Sequence, residues 1–254
     1  MISISSESMD QLVASNEKCR RIKELIQNDT IVVIKNVVSE ELILNLRGYL
    51  GNIGLNSMPN YQPITPDAPN FHRLNNGDLR AHVNGVFQQF NFFPWNDDVF
   101  KLHDIFEKVL VLRNRINNRD DHFAINDGND SFVSRLCFQF YPSGSGHLEK
   151  HRDPVDIHQM ALPSLVMSKF GKDYTGGGVF VEVNGEKHFF EHELCIGDLT
   201  LIKANLVHGV DMVDPHYDGN GFLTYQGRWM GLFPVNKFSH VSSIDDSIAL
   251  SQEQ

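Results

Sequence analysis

The triplet His151-Arg152-Asp153 is followed far downstream by His208, within Leu206-Val207-His208-Gly209-Val210, and then by Arg228 within Gly227-Arg228-Trp229. Two imidazoles and one carboxylate are side chains that hold a single divalent cation, and three protein ligands leave coordination positions open for other groups. In an extended strand, residues two apart face the same side. His151 and Asp153 can therefore reach one centre while Arg152 points away, and His208 on a distant strand can supply the third ligand. Such a set with open positions suits non-haem iron that activates dioxygen. Zinc is compatible with these ligand types, although a structural zinc calls for a fourth protein ligand.

Rival constellations are weaker. The chain has twelve histidines, and His216-Tyr217-Asp218 repeats the spacing of the first triplet inside a polar stretch, Asp214 to Asn220. His147 and Glu149 form a neighbouring pair that could ligate instead, or could line the rim of the site. His-Arg-Asp also opens the catalytic loop of protein kinases. Here His158 stands where that loop needs Asn, and neither Asp-Phe-Gly nor a glycine-rich phosphate loop is present.

The elements that must position these residues read as strands from Ser131 onward. Val133, Arg135, Cys137, Gln139 and Tyr141 share one face, and Phe132, Leu136, Phe138 and Phe140 the other. The second, more apolar face should meet the core, and the first could look into a site. Pro142 to Gly146 is a turn, and Tyr174 to Gly178 a glycine-rich one. Val179 to Val183 and Lys187 to Phe190 form a hairpin around Asn184-Gly185, a pair suited to positive φ. Leu199 to Lys203, Leu206 to Val213 and Phe222 to Phe233 complete a set of short strands spaced by turns, the pattern of a sandwich or barrel.

The preceding residues are mixed. Cys19, Ile22, Leu25 and Ile26 recur at helical spacing, Ile31 to Ile34 is a buried strand, and Ser39 caps a helix carrying Ile43, Leu46 and Leu50, with Gly51 as its stop. Asn52 to Asn70 reads as a long loop. Phe87, Phe90, Phe92, Phe93 and Trp95 either fill the core or form one wall of a pocket. A further helix is expected from Asp97 to about Arg113, capped by Asn96, with Val99, Leu102, Phe106, Val109 and Leu110 as its apolar face. Asn114 to Asp130 reads as a polar linker or surface loop, and the tail after Pro234 as loosely held.

With 254 residues and 41% apolar content the chain can bury one sizeable core, so a single domain is expected. It divides into a helical and loop-rich part (1–130), a strand-rich core (131–236) and a tail (237–254). The net charge of -10 and the absence of a basic run argue against nucleic acid or a membrane surface as partner. Three separated cysteines form neither a disulfide framework nor a thiolate metal site and fit a reducing cytoplasm. Met1 to Asp10 lacks the basic and apolar regions of a signal peptide, and no apolar run spans a bilayer.

The order of His151-Arg152-Asp153, a glycine-rich hairpin, Gly197-Asp198, His208 and a later basic residue resembles the Fe(II)/2-oxoglutarate-dependent dioxygenase superfamily, in its prolyl-hydroxylase-like and related branches. The matching segment runs from about Arg135 to Phe233. The resemblance implies a mainly β fold, a double-stranded β-helix (jelly roll) with flanking N-terminal helices. It implies iron bound by His151, Asp153 and His208, and 2-oxoglutarate and O2 as co-substrates with ascorbate as reductant. Arg228 would pair with the distal carboxylate of 2-oxoglutarate, and Gln139 and Tyr141 occupy positions that contact the co-substrate in some relatives. The stretch from His208 to Arg228 is longer than usual; if Asp214 to Asn220 does not account for the excess, Lys203 is the alternative anchor. Halogenating relatives carry a small residue in place of the carboxylate, so Asp153 favours hydroxylation, desaturation or ring closure. The expected substrate is a small molecule such as an amino acid, peptide or natural-product intermediate. A protein side-chain hydroxylase and a non-catalytic metal- or sugar-binding jelly roll are the alternatives. Asn52 to Asn70, the aromatic cluster and His158 are expected to wall the substrate space.

Overall fold

The computed structural model describes residues 2–5, 7–77, 81–125, 131–153, 159–238 and 248–250. Strands β1 (Ile2–Ser5) and β2 (Ile31–Ile34) pair in parallel. The four β-branched residues of β2 are all buried, because both faces of the strand are covered. Between them lie α1 (Met9–Val13) and α2 (Asn16–Gln27), whose first turns are satisfied by the Ser8 and Ser15 side chains. Helix α3 (Glu40–Asn56) starts, as expected, on Ser39. It does not stop at Gly51. That glycine is buried inside the helix with the Tyr225 ring against it, so it serves close packing instead of termination.

Strands β3 (Phe71–Asn76) and β4 (Gly85–Phe92) form an antiparallel pair. Helix α4 (Leu102–Ile116) begins later than the sequence pattern predicts, because the Asp98 carboxylate accepts from the amides of Phe100 and Leu102. Val99, expected on its apolar face, is exposed. As far as residue 125 the segment after it is tied down: buried Arg113 donates to Phe233 O and Ser134 Oγ, and Asn114 donates to Asp121 O and Phe123 O. Those bonds satisfy polar groups whose burial would otherwise cost about 1–3 kcal/mol each.

The strand-rich part contains β5 (Phe132–Ser134), β6 (Leu136–Pro142), β7 (His147–Arg152), β8 (Ala161–Val166), β9 (Gly178–Val183), β10 (Glu186–Phe189), β11 (Leu199–Lys203) and β12 (His208–Asp211). A short helix α5 (Gly221–Thr224), where a strand was expected, precedes β13 (Gly227–Leu232). The hairpin β9–β10 turns on Asn184 and Gly185, both at positive φ as foreseen. Beyond Pro234, expected to be loose, β14 (Val235–Lys237) pairs with β5, and Phe238 is buried against Trp95. β15 (Ile248–Ala249) pairs with β7.

Two halves face each other. One runs β2-β11-β8-β13-β6, the other β7-β12-β9-β10, and β4 hydrogen-bonds to both β6 and β7. Inward side chains of both halves, such as Tyr141 and Met230 with Val210, pack together, which makes the structure the double-stranded β-helix expected. On the outer face, Leu12, Ile22, Leu46, Phe106 and Leu110 from the helices pack against Phe138, Phe140, Leu165 and Trp229. At roughly 1.5–3 kcal/mol for each fully buried side chain, this layer is the main attachment of the helices. Among the described residues no helix is long and apolar enough to cross a membrane.

The Gly197-Asp198 turn ties the N-terminal strands to the barrel. Gly197 O accepts from the amides of Val37 and Val38, and fully buried Asp198 pairs with Lys35 and accepts from the amides of Asn36 and Cys195. Gly197 has φ +90°, and a Cβ there would lie 2.0 Å from Val38 O. Gly197→Ala should therefore lose about 2–4 kcal/mol, combining left-handed strain with overpacking. Urea denaturation would measure it, and a loss under about 0.5 kcal/mol, ordinary for a benign surface change, would contradict this account.

Candidate metal centre

His151 reaches the barrel interior through an irregularity in β7. His151 pairs with His208 and Leu148 with Val210, so three steps on β7 match two on β12. Such a bulge re-aims the side chains beyond it. Leu148 and His151 consequently both line the interior cavity, whereas plain alternation would have separated them. His147 and Glu149, the alternative pair, do not line this cavity and are bonded elsewhere. His147 Nδ1 bonds Ser145 O at 2.8 Å, and Glu149 Oε1 accepts from Asn84 at 3.0 Å.

Each imidazole is held by its own backbone. His151 Nδ1 lies 2.9 Å from Glu149 O, and His208 Nδ1 2.7 Å from Leu206 O. A carbonyl only accepts, so both Nδ1 atoms carry a proton and both Nε2 atoms point inward, where each offers a lone pair once deprotonated. The backbone amide of Asp153 donates to Ala204 O. The carboxylate stands 3.8 Å from His151 Nε2 and 3.5 Å from His208 Nε2. A cation at about 2.0–2.2 Å from each donor bridges such gaps. These three, and no other set of three among the described residues, gather ligating atoms within 4.8 Å of one another. His216 lies in an exposed loop, and Asp214 instead knits that loop to Ser143, Thr175 and Gly176.

Electrostatics distinguish the two imidazoles. Burial, followed by the neighbouring His208, pushes His151 down to about 4. Burial also acts to lower His208, but the hydrogen bond and charge of Asp153, with Leu206 O, outweigh it and leave that ring raised. The donor set thus comprises two nitrogen lone pairs and one carboxylate on one side of a cavity, and it fits a divalent cation with open positions.

The cavity measures about 280 Å³. Gln139, Tyr141, Phe87, Leu162, Val179 and Met230 are among its lining, so the aromatic cluster is split: Phe87 faces the cavity, and Phe90 and Phe92 lie in the core. Tyr141 donates to Gln139 at 2.7 Å. His158 lies outside the described residues.

Arg228 is buried, opposite Tyr141 in the β13–β6 register. Its fork is already engaged. Nε lies 2.9 Å from Glu191 Oε1, and Nη2 lies 2.8 Å from the same oxygen. Glu191 also accepts from Tyr174 and from the amide of Val179. Among the described residues Nη1 meets only the Met230 thioether at 3.0 Å, a weak acceptor. Arg228 borders a hollow of about 20 Å³, whose walls Ser164, Val179, Ile202 and Met230 also line the main cavity. Lys203 is turned outward, 2.9 Å from Asp29, while its strand neighbour Ile202 faces the cavity. Glu191 escaped the sequence reading because nothing in Phe190-Glu191-His192-Glu193 distinguishes it from a surface acid. Gln89 was missed as well, although its polar place among phenylalanines, next to Phe90, was a signal that could have found it.

No protein-family model and no curated protein sequence matches the chain. Solved structures do resemble it. A Pseudomonas putida prolyl-4-hydroxylase is 15% identical with a TM-score of 0.52, the match covering 85% of this chain and 97% of that one. The Neurospora crassa thymine 7-hydroxylase, determined with alpha-KG and thymine, is 11% identical with a TM-score of 0.55, covering 96% and 87%. A Trichoplax adhaerens prolyl hydroxylase, determined with a hypoxia-inducible-factor peptide, is 13% identical with a TM-score of 0.52, covering 91% and 94%.

Two outcomes test the site. Co(II), a spectroscopic probe for such ligands, should bind stoichiometrically, and His208→Ala should weaken it by at least about 100-fold, since the centre then keeps two protein ligands. Equal affinity in the variant would remove His208 from the set. Glu191→Ala leaves Arg228 charged and buried without its partner and should cost about 3–5 kcal/mol in chemical denaturation. A loss below about 1 kcal/mol, the range of an exposed pair, would mean that the pair is solvated in solution. At these identities the likeness is one of architecture, and the chain has the double-stranded β-helix fold of these hydroxylase structures.

Proposed function

We propose that the protein is an Fe(II)- and 2-oxoglutarate-dependent oxygenase that hydroxylates a C–H bond of a small molecule. The observation that carries this reading is the convergence of His151, Asp153 and His208 with both Nδ1 atoms committed to backbone carbonyls. The fold shared with thymine 7-hydroxylase and prolyl hydroxylases supports it. With both groups bound, the iron and 2-oxoglutarate would supply the oxidising chemistry that places one atom of O2 in the substrate as 2-oxoglutarate leaves as succinate and CO2.

The chain's own residues have defined tasks. His151, Asp153 and His208 hold the metal from one side and leave the other side facing the cavity. Phe87, Leu148, Leu162 and Val210 exclude water from it. Arg228 receives the distal carboxylate of 2-oxoglutarate through its Nη1 edge, where the carboxylate replaces the weaker Met230 thioether. Met230 is an unbranched side chain able to move aside. Glu191 holds the guanidinium in place through the other edge. A cavity of about 280 Å³ favours a small molecule over a protein side chain presented in an open groove.

Succinate formation from 2-oxoglutarate with Fe(II) and O2 is the decisive measurement, with or without a primary substrate. Asp153→Ala should abolish it while leaving the far-UV circular dichroism spectrum unchanged. Arg228→Gln should raise the 2-oxoglutarate Kd by at least about tenfold, the scale of one charge-assisted hydrogen bond. Turnover that survives in Asp153→Ala would refute the ligand assignment, and an unchanged Kd in Arg228→Gln would remove Arg228 as the anchor.

A further inference from the structure

At the other end of the β6–β13 pair from Arg228, two arginines line the cavity. Arg135 N donates to Pro234 O at that end, six residues along the chain from Tyr141 and so about 20 Å away at roughly 3.3 Å per residue. Arg73, on β3, lines the same cavity. Neither has an ion-pair partner among the described residues, in contrast to Arg228 with Glu191. The Nε–H groups of both are buried and without a hydrogen-bond acceptor. An unmet buried donor on a charged group is more unfavourable than a neutral one, and this cavity holds two of them.

A set of amides fixes both guanidiniums by their other edges. Arg73 Nη2 donates to Gln89 Oε1 at 3.2 Å, and Arg135 Nη1 to Asn91 Oδ1 at 3.1 Å. Gln89 Nε2 donates to Asn91 Oδ1 at 2.7 Å, and Gln139 Nε2 to Gln89 Oε1 at 3.3 Å. The Arg73 guanidinium also lies over the Tyr61 ring, 5.3 Å from its centroid. All of these acceptors are neutral. Burial lowers the Arg135 pKa, and the positive Arg73 beside it acts in the same direction, so an anion between them would relieve both penalties. Asn236 Oδ1, on the same cavity wall, is a buried acceptor without a donor.

We propose that the primary substrate carries a carboxylate which Arg73 and Arg135 grip through their Nε edges, with a hydroxyl or amine beside it donating to Asn236. This deepens the oxygenase reading above and rests on it for the word substrate, though the binding site itself does not. The apolar lining, including Val83, Leu148, Leu162 and Leu232, suits the remainder of a compact, largely apolar acid. A guanidinium fork matches the planar carboxylate through parallel hydrogen bonds.

The test uses the full chain and a graded series of monocarboxylates, acetate, butyrate and 3-phenylpropionate, each against its neutral amide. Side-chain 15N NMR follows the Nε–H resonances of Arg73 and Arg135. The acids should shift both resonances saturably and the amides should not. Arg135→Gln and, separately, Arg73→Gln should each weaken 3-phenylpropionate binding by at least about tenfold. If one variant fails to fold, the other and the wild-type titrations still decide. Unmoved resonances, or equal responses to acids and amides, would overturn the proposal. So would a parallel loss of 2-oxoglutarate affinity in these variants, which would assign the pair to the co-substrate. A wild-type protein that binds the acids at these arginines but takes up no 2-oxoglutarate would instead overturn the oxygenase reading and leave the carboxylate site standing.

Discussion

The Nδ1–H of each cavity-facing imidazole donates to the carbonyl two residues before it, Glu149 for His151 and Leu206 for His208. Everything at the centre of the barrel depends on that pair of short-range bonds. They place a proton on Nδ1, aim Nε2 inward and hold both rings through the backbone. The β7 bulge is their precondition, since it rotates His151 onto the face that Leu148 already occupies. A straight β7 would turn that imidazole away from Asp153 and His208, and the cavity would lose its cation site.

The barrel has different charge logic at its two ends. Around Arg228 every charge is matched: Glu191 takes one edge of the guanidinium and also receives Tyr174 and the Val179 amide. That arrangement is rigid and nearly neutral. Around Arg73 and Arg135 the positive charge is held by neutral amides alone. Gln89 and Gln139 connect the arginine end to Tyr141, which faces Arg228. One continuous polar wall therefore crosses the cavity, and opposite it His151, Asp153 and His208 stand among apolar side chains such as Leu148, Val179 and Val210.

Much of this was legible in the residues. The HxD pair and distal His208 stood out because strand periodicity and ligand chemistry pointed the same way, and Ile31 to Ile34, Ser39 and Asn184-Gly185 each behaved as local physics requires. What failed to show was what depends on distant partners. Gly51 resembled a helix stop because glycine usually is one, but the Tyr225 ring that needs its missing side chain lies far along the chain. Helix α4 starts late because the carboxylate of Asp98 competes for the early amides. The bulge, the Arg228–Glu191 pair and the convergence of Arg73 with Arg135 are products of tertiary structure, and no spacing rule encodes them.

With both imidazoles acting as neutral donors, a set of His151, Asp153 and His208 would carry a single formal negative charge, from Asp153. A divalent ion seated there would leave a surplus of one positive charge, and Arg73 and Arg135 would add two more in a chain whose net charge is -10. The interior would then be a small electropositive island in an acidic protein. Anions would be repelled at long range and captured only within about 8–10 Å of the entrance, the reach of unscreened fields in ordinary salt. Entry of anionic guests would thus be faster, not slower, as moderate salt damps the outer repulsion.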